Sequence, residues 1–370
     1  MRIVVVGLGV MGLSAARELA VRGHEVVGLD RTEVGNRWAS SSGATRIYRL
    51  AHAERPRVRL ARRNHELWEA LERDAGRPRR LQRGLVWRGG LTEQVAASLA
   101  AESVEHEVLD ERRQVELFPE LRWSDDAAAV WQPDAGVVLA DVALRSTAAL
   151  CERAGGRIQA GTTVLEIVQQ ASGVRVVADA QGERTTFDAD RVVLTAGPWA
   201  GSMLKALGVD VSLVPFLEQI TYVRGGVDVP WESRPCLVDI PAEAGSFGFY
   251  AMPTPGIGFK VGIDDPIGRF DPEQHDRAPV AEREREAVER VRRELPAFDA
   301  TPIRSEVCAW TESDDDLFVL DRVGDVVFGC GDSGQGFKFL PMFGQVLSDL
   351  VEGHPVSADV AALGRGRFTN

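Results

Sequence analysis

The chain has 370 residues, of which 44% are apolar and 26% are charged, and this composition is typical of globular proteins rather than disordered or fibrous ones. At roughly 150 residues per domain, the length predicts two or three domains. The 43 Lys and Arg residues against 55 Asp and Glu residues give a net charge of −12, which excludes a general basic surface for nucleic acid or anionic membranes. We therefore expect a small-molecule partner.

The basic residues and the cysteines narrow the chemistry further. Three of the 43 cationic residues are lysines, Lys205, Lys260 and Lys338, and the other forty are arginines. Each lysine is therefore a candidate for a specific chemical role. The four cysteines are too few and too scattered for a disulfide framework in a chain of this length. The sequence shows no signal-peptide pattern, membrane-length apolar stretch or metal-ligand spacing, so we expect a cytoplasmic protein that holds no metal.

The first thirty residues contain a glycine-rich turn between two apolar runs. The pattern predicts a strand over 3–6, a helix over 13–22 and a second strand over 26–29. Gly7 would permit the tight turn, Gly9 would let a pyrophosphate approach the backbone, and Gly12 would let the helix pack closely on the strand. Asp30, which ends the second strand, would accept hydrogen bonds from ribose hydroxyls. In this context the glycine spacing is a specific sign of dinucleotide binding.

Beyond residue 30 the chain does not continue as a regular βαβ array. We interpret residues 36–49 as a small-polar loop followed by a long helical pattern. Later runs predict strands over 82–90, 104–109, 157–160, 162–168, 174–178, 216–223, 236–240, 247–252, 257–263, 304–311 and 317–320, and strands that end in glycine loops over 191–199 and 326–338. A turn is predicted at 132–136. Helices are predicted over 141–154, over 280–295 and after Pro341. The four runs between 214 and 264 predict an antiparallel sheet with one side exposed to water.

Four motifs occur in the order and spacing of one enzyme family: Thr45-Arg-Ile-Tyr-Arg49, Gly258-Phe-Lys-Val-Gly262, Val307-Cys-Ala-Trp-Thr311 and Ser333-Gly-Gln-Gly-Phe-Lys-Phe339. The chain thereby resembles the monomeric sarcosine oxidase family of FAD-dependent amine oxidases, within the D-amino acid oxidase-like superfamily. The resemblance covers essentially the whole chain. It implies FAD as cofactor, an amino acid or amine as substrate, oxidation to an imine, O2 as acceptor with H2O2 as product, and a monomer.

The predicted elements and this resemblance together indicate an α/β fold. We expect a Rossmann-like FAD-binding domain interleaved with an α+β substrate domain that is built on a large mixed or antiparallel sheet. The predicted FAD-binding domain comprises residues 1–80, 140–213 and 305–370. The predicted substrate domain comprises residues 81–139 and 214–304.

The resemblance also implies roles for individual residues. Arg49 and Lys338 would grip the substrate carboxylate, so that the α C–H bond faces the flavin. Arg46 would lie beside the flavin ring, and Tyr250 would border the substrate. Cys308 stands at the position where close relatives link the flavin covalently through sulfur. Further FAD contacts are expected from Gly7, Gly9, Met11, Gly12, Asp30, Arg31, Ser42, Thr45, Val164, Gly197, Trp199, Gly334, Gly336 and Lys338.

Lys260 is marked both by its strand pattern and by the resemblance. In the alternating run it shares a face with Gly258 and Gly262, which predicts free space above it. The resemblance implies that this lysine reaches flavin N5 through water and promotes the reaction with oxygen by electrostatic stabilisation.

One position departs from the family. Asp264 stands where close relatives have a histidine, four residues after Lys260. A carboxylate there could pair with a second ammonium group on the substrate, or it could face water in the Asp264-Asp-Pro266 turn. The substrate side chain therefore stays open at this point.

Other functions are compatible with parts of the sequence. An FAD-dependent dehydrogenase or imine-forming biosynthetic oxidase would use an acceptor other than O2. An NAD(P)-dependent dehydrogenase would use Arg31 to bind a 2′-phosphate, and a noncatalytic flavoprotein would bind the dinucleotide alone. A serine hydrolase would use Ser333 within Gly331-Asp-Ser-Gly334, although no histidine lies in a partner motif.

Overall fold

The structure is a computed structural model that describes residues 1–37, 39–124, 128–241, 247–273 and 277–368. Its strands are β1 Arg2–Val6, β2 Glu25–Leu29, β3 Thr45–Tyr48, β4 Arg80–Gln82, β5 Leu85–Gly89, β6 Glu107–Val108, β7 Ala129–Gln132, β8 Gly136–Leu139, β9 Arg157–Gln159, β10 Thr162–Gln169, β11 Val174–Ala180, β12 Glu183–Ala189, β13 Arg191–Leu194, β14 Leu213–Val223, β15 Cys236–Ile240, β16 Gly248–Thr254, β17 Gly258–Asp264, β18 Gly268–Arg269, β19 Pro302–Ser313, β20 Val319–Val323 and β21 Val326–Cys330. Its α-helices are α1 Val10–Val21, α2 Arg55–Ala75, α3 Thr92–Ala101, α4 Glu111–Leu117, α5 Ala140–Arg153, α6 Ala200–Ala206, α7 Ala281–Glu294, α8 Leu340–Glu352 and α9 Ala358–Ala361.

A six-stranded sheet forms the centre of the nucleotide-binding half, with the order β20-β21-β13-β1-β2-β9. All neighbouring pairs are parallel except β20 with β21. Helices α5 and α8 pack beside α1 on one face of the sheet, where Ile3 and Val5 are buried. Val4 and Val6 point to the other face and pack against the three-stranded sheet β10-β11-β12. The continuous apolar run of β1 is explained by this burial on both faces.

A larger, mixed sheet forms the second half, with the order β18-β14-β17-β16-β15-β5-β7-β6 and with β19 paired to β14. The pairs are antiparallel except β15 with β5, which is parallel. Together with the nucleotide-binding half, this sheet confirms the predicted α/β architecture with a large mixed sheet. The domain boundary that we placed at residue 305 falls inside β19, which pairs with β14 along nearly its whole length.

The expectation that one side of this sheet faces water is wrong. Phe259 and Val261 on one face are buried against Val288 and Val291 of helix α7. Lys260 on the opposite face is also buried. Helix α7 covers the first face because its apolar side chains recur at helical spacing within a charged sequence, and the second face closes over a cavity.

Residues 45–48 are a strand, β3, rather than part of the predicted loop. Strand β3 pairs with β8, whose residues lie about ninety positions further along the chain. Strand β4 pairs with the other edge of β8 to complete a small sheet. The local sequence gives no sign of this strand because its hydrogen-bond partners come from a distant segment.

The predicted helices are confirmed with shifts of one to three residues at their ends. Helix α1 begins at Val10, directly after the glycine turn. Helix α8 begins at Leu340, so Pro341 lies in its first turn, where proline is favoured. No helix within the described ranges is both long enough and apolar enough to cross a membrane.

Candidate active site

A cavity of about 760 Å³ lies between the carboxyl edge of the six-stranded sheet and the inner face of the large sheet. The turns after β1, β2, β13 and β21 line one part of it, and β14, β16, β17 and β19 line the other. Ligands of open α/β sheets bind outside the carboxyl ends of the strands. The volume is within the usual range for cofactor sites.

The glycine turn after β1 has the geometry that its sequence predicts. Gly7 has a φ of +84°, and a Cβ there would lie 2.5 Å from the Thr195 carbonyl oxygen. A Cβ on Gly12 would lie 1.9 Å from the Gly7 carbonyl oxygen, so only glycine lets α1 pack this closely. Gly9 lines the cavity, and the Val10 amide donates to Ser41 Oγ at 2.8 Å.

Asp30 lines the cavity at the end of β2. Its Oδ2 accepts a hydrogen bond from the Leu8 amide at 2.8 Å, and its Oδ1 accepts one from the Thr32 amide at 3.0 Å. The Thr32 hydroxyl also donates to Oδ1, at 3.3 Å. These bonds orient the carboxylate, and Oδ2 keeps a second lone pair for a ribose hydroxyl. Burial raises the pKa of Asp30, although the two amide donors oppose this shift.

Most of the residues predicted to bind FAD come together around the cavity. Its lining includes Gly7, Gly9, Met11, Asp30, Arg31, Val164, Gly197, Trp199, Cys308, Gly334, Gly336 and Lys338. Gly12, Ser42 and Thr45 do not belong to the lining. Gly12 instead supports the packing of α1, and the Thr45 hydroxyl pairs with the Thr254 hydroxyl at 2.7 Å. The neighbouring Ser40 and Ser41 are the serines of this loop that line the cavity.

Arg49 and Lys338 both line the cavity and are not paired with an acidic side chain in the described part of the chain. Arg49 donates to the Ala51 carbonyl and lies with its guanidinium carbon 5.0 Å from the centre of the Trp87 ring. The Lys338 ammonium donates to the Gln335 carbonyl at 2.8 Å. Burial and repulsion from Arg57 lower the pKa of Arg49 to about 10. Burial and repulsion from Arg49 lower the pKa of Lys338 well below its usual value.

His52 adds a support for Arg49 that the sequence did not reveal. Its side chain is buried, and its Nδ1 lies 3.3 Å from Arg49 Nη1. Burial and the positive charge of Arg49 lower the pKa of His52 well below 6.5. A neutral imidazole accepts at one nitrogen, so His52 holds the guanidinium without neutralising it.

Lys260 is 3% exposed and projects from β17 into the cavity. Its ammonium donates to the Thr45 carbonyl at 2.9 Å. Burial, with repulsion from Arg46, lowers the pKa of Lys260 to about 7. The space beside the flanking glycines is filled, contrary to our expectation: a Cβ on Gly262 would lie 2.2 Å from the ring of Tyr250.

Tyr250 and Cys308 line the same face of the large sheet. Tyr250 pairs with Gly262 across β16 and β17, and burial raises its pKa well above 10. Cys308 pairs with Glu218 across β19 and β14. Burial raises the pKa of the Cys308 thiol, while Arg46 and Lys260 lower it. Arg46 itself donates to the Thr45 and Ser40 carbonyls at 2.9 and 3.1 Å.

The glycine loop after β21 is tied to the large sheet by Asp332, another residue that sequence reasoning missed. Its Oδ1 accepts a hydrogen bond from the Thr311 amide at 3.0 Å, and burial raises its pKa to about 6. Gly331 and Gly334 have positive φ angles of +65° and +67°. Such turns expose amide groups in concave arrangements that bind anionic or carbonyl oxygens.

The polar atoms of the cavity fit a dinucleotide such as FAD. Four of them are buried without a hydrogen-bond partner among the described residues: Ser40 Oγ, Trp199 Nε1, Glu218 Oε1 and Thr311 Oγ1. Buried polar atoms in proteins are nearly always paired, so these atoms indicate a polar ligand. These unpaired atoms and the Gly7–Gly12 turn lie along the cavity, between the end of β1 and the Gly331–Gly336 loop.

A nucleotide-binding turn that faces a sheet with buried cations is typical of a dinucleotide-dependent oxidoreductase. The chain belongs to the FAD dependent oxidoreductase family (DAO), which it matches over residues 2–350. Together with the sarcosine oxidases described next, this match identifies it as an FAD-dependent amine oxidoreductase of the sarcosine oxidase-like group. It also excludes the NAD(P)-dependent dehydrogenase that we considered.

Several known proteins are similar to this chain over nearly its full length. Monomeric sarcosine oxidase of Streptomyces avermitilis is 30% identical, covering 96% of this chain and 95% of its own. Peroxisomal sarcosine oxidase of Mus musculus is 29% identical, covering 99% and 96%. Among solved structures, the open form of NikD, an unusual amino acid oxidase essential for nikkomycin biosynthesis, has a TM-score of 0.86 at 27% identity, covering 98% and 96%.

Two other features of the sequence find structural explanations. Ser333 Oγ accepts a hydrogen bond from the Ser313 amide at 3.4 Å. Among the described residues no hydrogen bond joins Ser333 to a histidine, as a serine hydrolase would need.

Asp349, Glu352 and His354 lie close enough to share an ion. Arg22 donates to both carboxylates, so this surface cluster is already part of an ion-pair network.

Proposed function

We propose that the protein oxidises an amino acid with a secondary (N-methyl or cyclic) or primary amine to the imine, with the substrate carboxylate bound by Arg49 and Lys338. The observation that carries this proposal is the burial of these two cations in one cavity without an acidic partner. A buried charge is costly unless it is paired. A substrate carboxylate bound between Arg49 and Lys338 would therefore offset the free energy that the burial of their charges costs.

Arg49 and Lys338 together form a carboxylate clamp, and this clamp would determine which bond of the substrate reacts. With the carboxylate held at two points, the α C–H bond and the amine have a restricted orientation, and such positioning contributes several kcal/mol to catalysis. The substrate loses a hydride from the α carbon and a proton from the amine, and a C=N bond forms. When bound, FAD supplies the two-electron acceptor at N5 and then passes both electrons to O2, which takes up two protons to give H2O2.

Lys260 would serve the reaction with oxygen. Its ammonium is held in the cavity by the Thr45 carbonyl. Glu306 and Asp141 attract it, but neither forms an ion pair with it among the described residues. A positive charge in a site of low polarity stabilises the negative charge that develops on oxygen. Tyr250, which lies on the neighbouring strand, would border the substrate.

Cys308 would hold the flavin covalently through its sulfur. Support comes from its position on the cavity face of β19. Burial raises the pKa of the thiol, and the positive charges of Arg46 and Lys260 oppose this shift toward the thiolate needed for a bond to sulfur. Acid denaturation tests this link directly: yellow colour should precipitate with the wild-type protein and stay in solution for Cys308→Ala. Flavin that remains bound to Cys308→Ala after denaturation would disprove the assignment.

The main experiment is anaerobic reduction of the purified yellow protein by N-methyl, cyclic and primary amino acids. We expect bleaching by an amino acid and much weaker bleaching by its carboxamide, which lacks the charge that Arg49 and Lys338 bind. Arg49→Ala and Lys338→Met should each raise KM strongly, since a buried charge pair loses about 2–5 kcal/mol when one partner is truncated. A bleached protein that reacts with an artificial acceptor but not with O2 would establish the dehydrogenase instead. The proposal fails if no amino acid in the screen bleaches the protein.

A further inference from the structure

Two carboxylates lie on the cavity face of the large sheet, close to the proposed reaction centre. Glu218 on β14 pairs with Cys308 on β19. Ile220, two residues further along β14, pairs with Gly262 on β17, so the alternation of the strands puts Asp264 on the same face as Glu218. Both acidic side chains line the cavity.

Glu218 is buried and forms no ion pair with a cation of the described residues. It is 8% exposed, and its Oε1 has no hydrogen-bond partner among the described residues. The Trp310 indole contributes a hydrogen bond to the carboxyl group. Among the described residues, Arg283 is the cation that attracts Glu218, and it is already paired with Asp265 and with Glu286, the latter at 3.2 Å.

Asp264 shares the cavity with the carboxylate clamp. Its side chain is exposed into the cavity, and Arg49 is the cation that attracts it. The absence of a side chain at Gly248 makes room beside it, because a Cβ there would lie 3.2 Å from the Asp264 Cβ. The cavity therefore holds two cations for a substrate carboxylate and two acids, and Asp264 is close enough to Arg49 for their charges to attract each other.

We propose that Glu218 and Asp264 form a side-chain subsite for a second, protonated nitrogen, so that the preferred substrate is an amino acid with a basic side chain. This inference rests on the proposed function. A cation between the two carboxylates would compensate for the burial of Glu218, whose pKa is raised to about 9 by burial and by the charge of Asp264. An apolar side chain would leave Glu218 protonated and would gain nothing from either acid, whereas an acidic side chain would be repelled by Asp264.

The test compares amino acids that differ in this nitrogen alone. Lysine against norleucine and ornithine against norvaline, each as the primary and the N-methyl form, are assayed by anaerobic bleaching of the holoenzyme. We expect kcat/KM to be at least about tenfold higher for the basic member of a pair. Equal rates, or a preference for the neutral member, would overturn the subsite. If none of these compounds nor any other amino acid bleaches the protein, the proposed function fails instead.

Substitution then assigns the preference to the two acids. Glu218→Gln and Asp264→Asn should each reduce the ratio of basic to neutral kcat/KM by about tenfold. Glu312→Gln is the matched control because it removes a nearby negative charge that lies outside the cavity lining, and its ratio should stay at the wild-type value. If Glu218→Gln does not fold, Asp264→Asn alone tests the subsite, because Asp264 is at the end of β17. A wild-type ratio in both folded variants would refute the assignment.

Discussion

Replacement of Lys260 by methionine should slow the reaction of the reduced protein with oxygen. Methionine preserves the length of the buried side chain and removes its charge. For a buried site, two unit charges roughly 5 Å apart at an effective dielectric constant of about 20 interact by about 3 kcal/mol. A loss of this size corresponds to a rate constant for reoxidation that is roughly 100-fold lower.

The charge of Lys260 also gives this reaction a pH dependence with a definite sign. Because burial lowers the pKa of Lys260 to about 7, the ammonium is protonated below that pH and loses its charge as the pH rises through it. The rate constant of the wild-type protein should therefore fall by about tenfold between about pH 6 and 8. In Lys260→Met it should be low and independent of pH over this range.

The assay reduces the protein without oxygen, mixes it rapidly with oxygenated buffer and follows the return of the yellow absorbance. Lys205→Met is the matched control, because Lys205 is exposed on α6 and lies outside the cavity lining. It should reoxidise at the wild-type rate. If Lys260→Met were reoxidised as fast as the control, the electrostatic role of Lys260 would be refuted.

Three further predictions follow from the contacts described above. Gly12→Ala should destabilise the protein by about 3 kcal/mol or more in thermal unfolding, because its methyl group would overlap the Gly7 carbonyl, whereas Gly201→Ala, which meets nothing closer than 3.7 Å, should be neutral or slightly stabilising. His52→Phe should raise KM about fivefold through the loss of the hydrogen bond to Arg49 and leave the flavin spectrum unchanged; an unchanged KM would exclude this support. In flavin-free Cys308→Ala, the free energy of unfolding should rise by up to about 5 kcal/mol between about pH 7 and 10, because the unfolded chain keeps the proton that native Lys260 releases; a fall measured by denaturant titration would contradict this sign.

The N-terminal unit could be predicted in detail because its signals are local. Gly7 and Gly12 are required by contacts within a few residues of themselves or with the adjacent strand, and α1 follows directly. Strand β3 could not be predicted because its partner β8 is about ninety residues away. Asp332 was missed for the same reason, because it acts through a hydrogen bond to Thr311 on another strand. His52 lies only three residues from Arg49, but nothing in the local sequence marks the contact between their side chains.

Lys260 shows how far strand alternation alone can support an inference. The period of two correctly put the lysine on the face opposite Phe259 and Val261, but it could not tell whether the glycines on that face leave space or receive a neighbour. The structure shows that the Tyr250 ring fills the position beside Gly262. A shift of one residue between β16 and β17 would remove Tyr250 from this glycine and turn Lys260 toward α7, because successive side chains point to opposite faces. The same packing that fills the glycine space therefore holds the lysine in the cavity, so the glycine serves the register of the strand that presents Lys260.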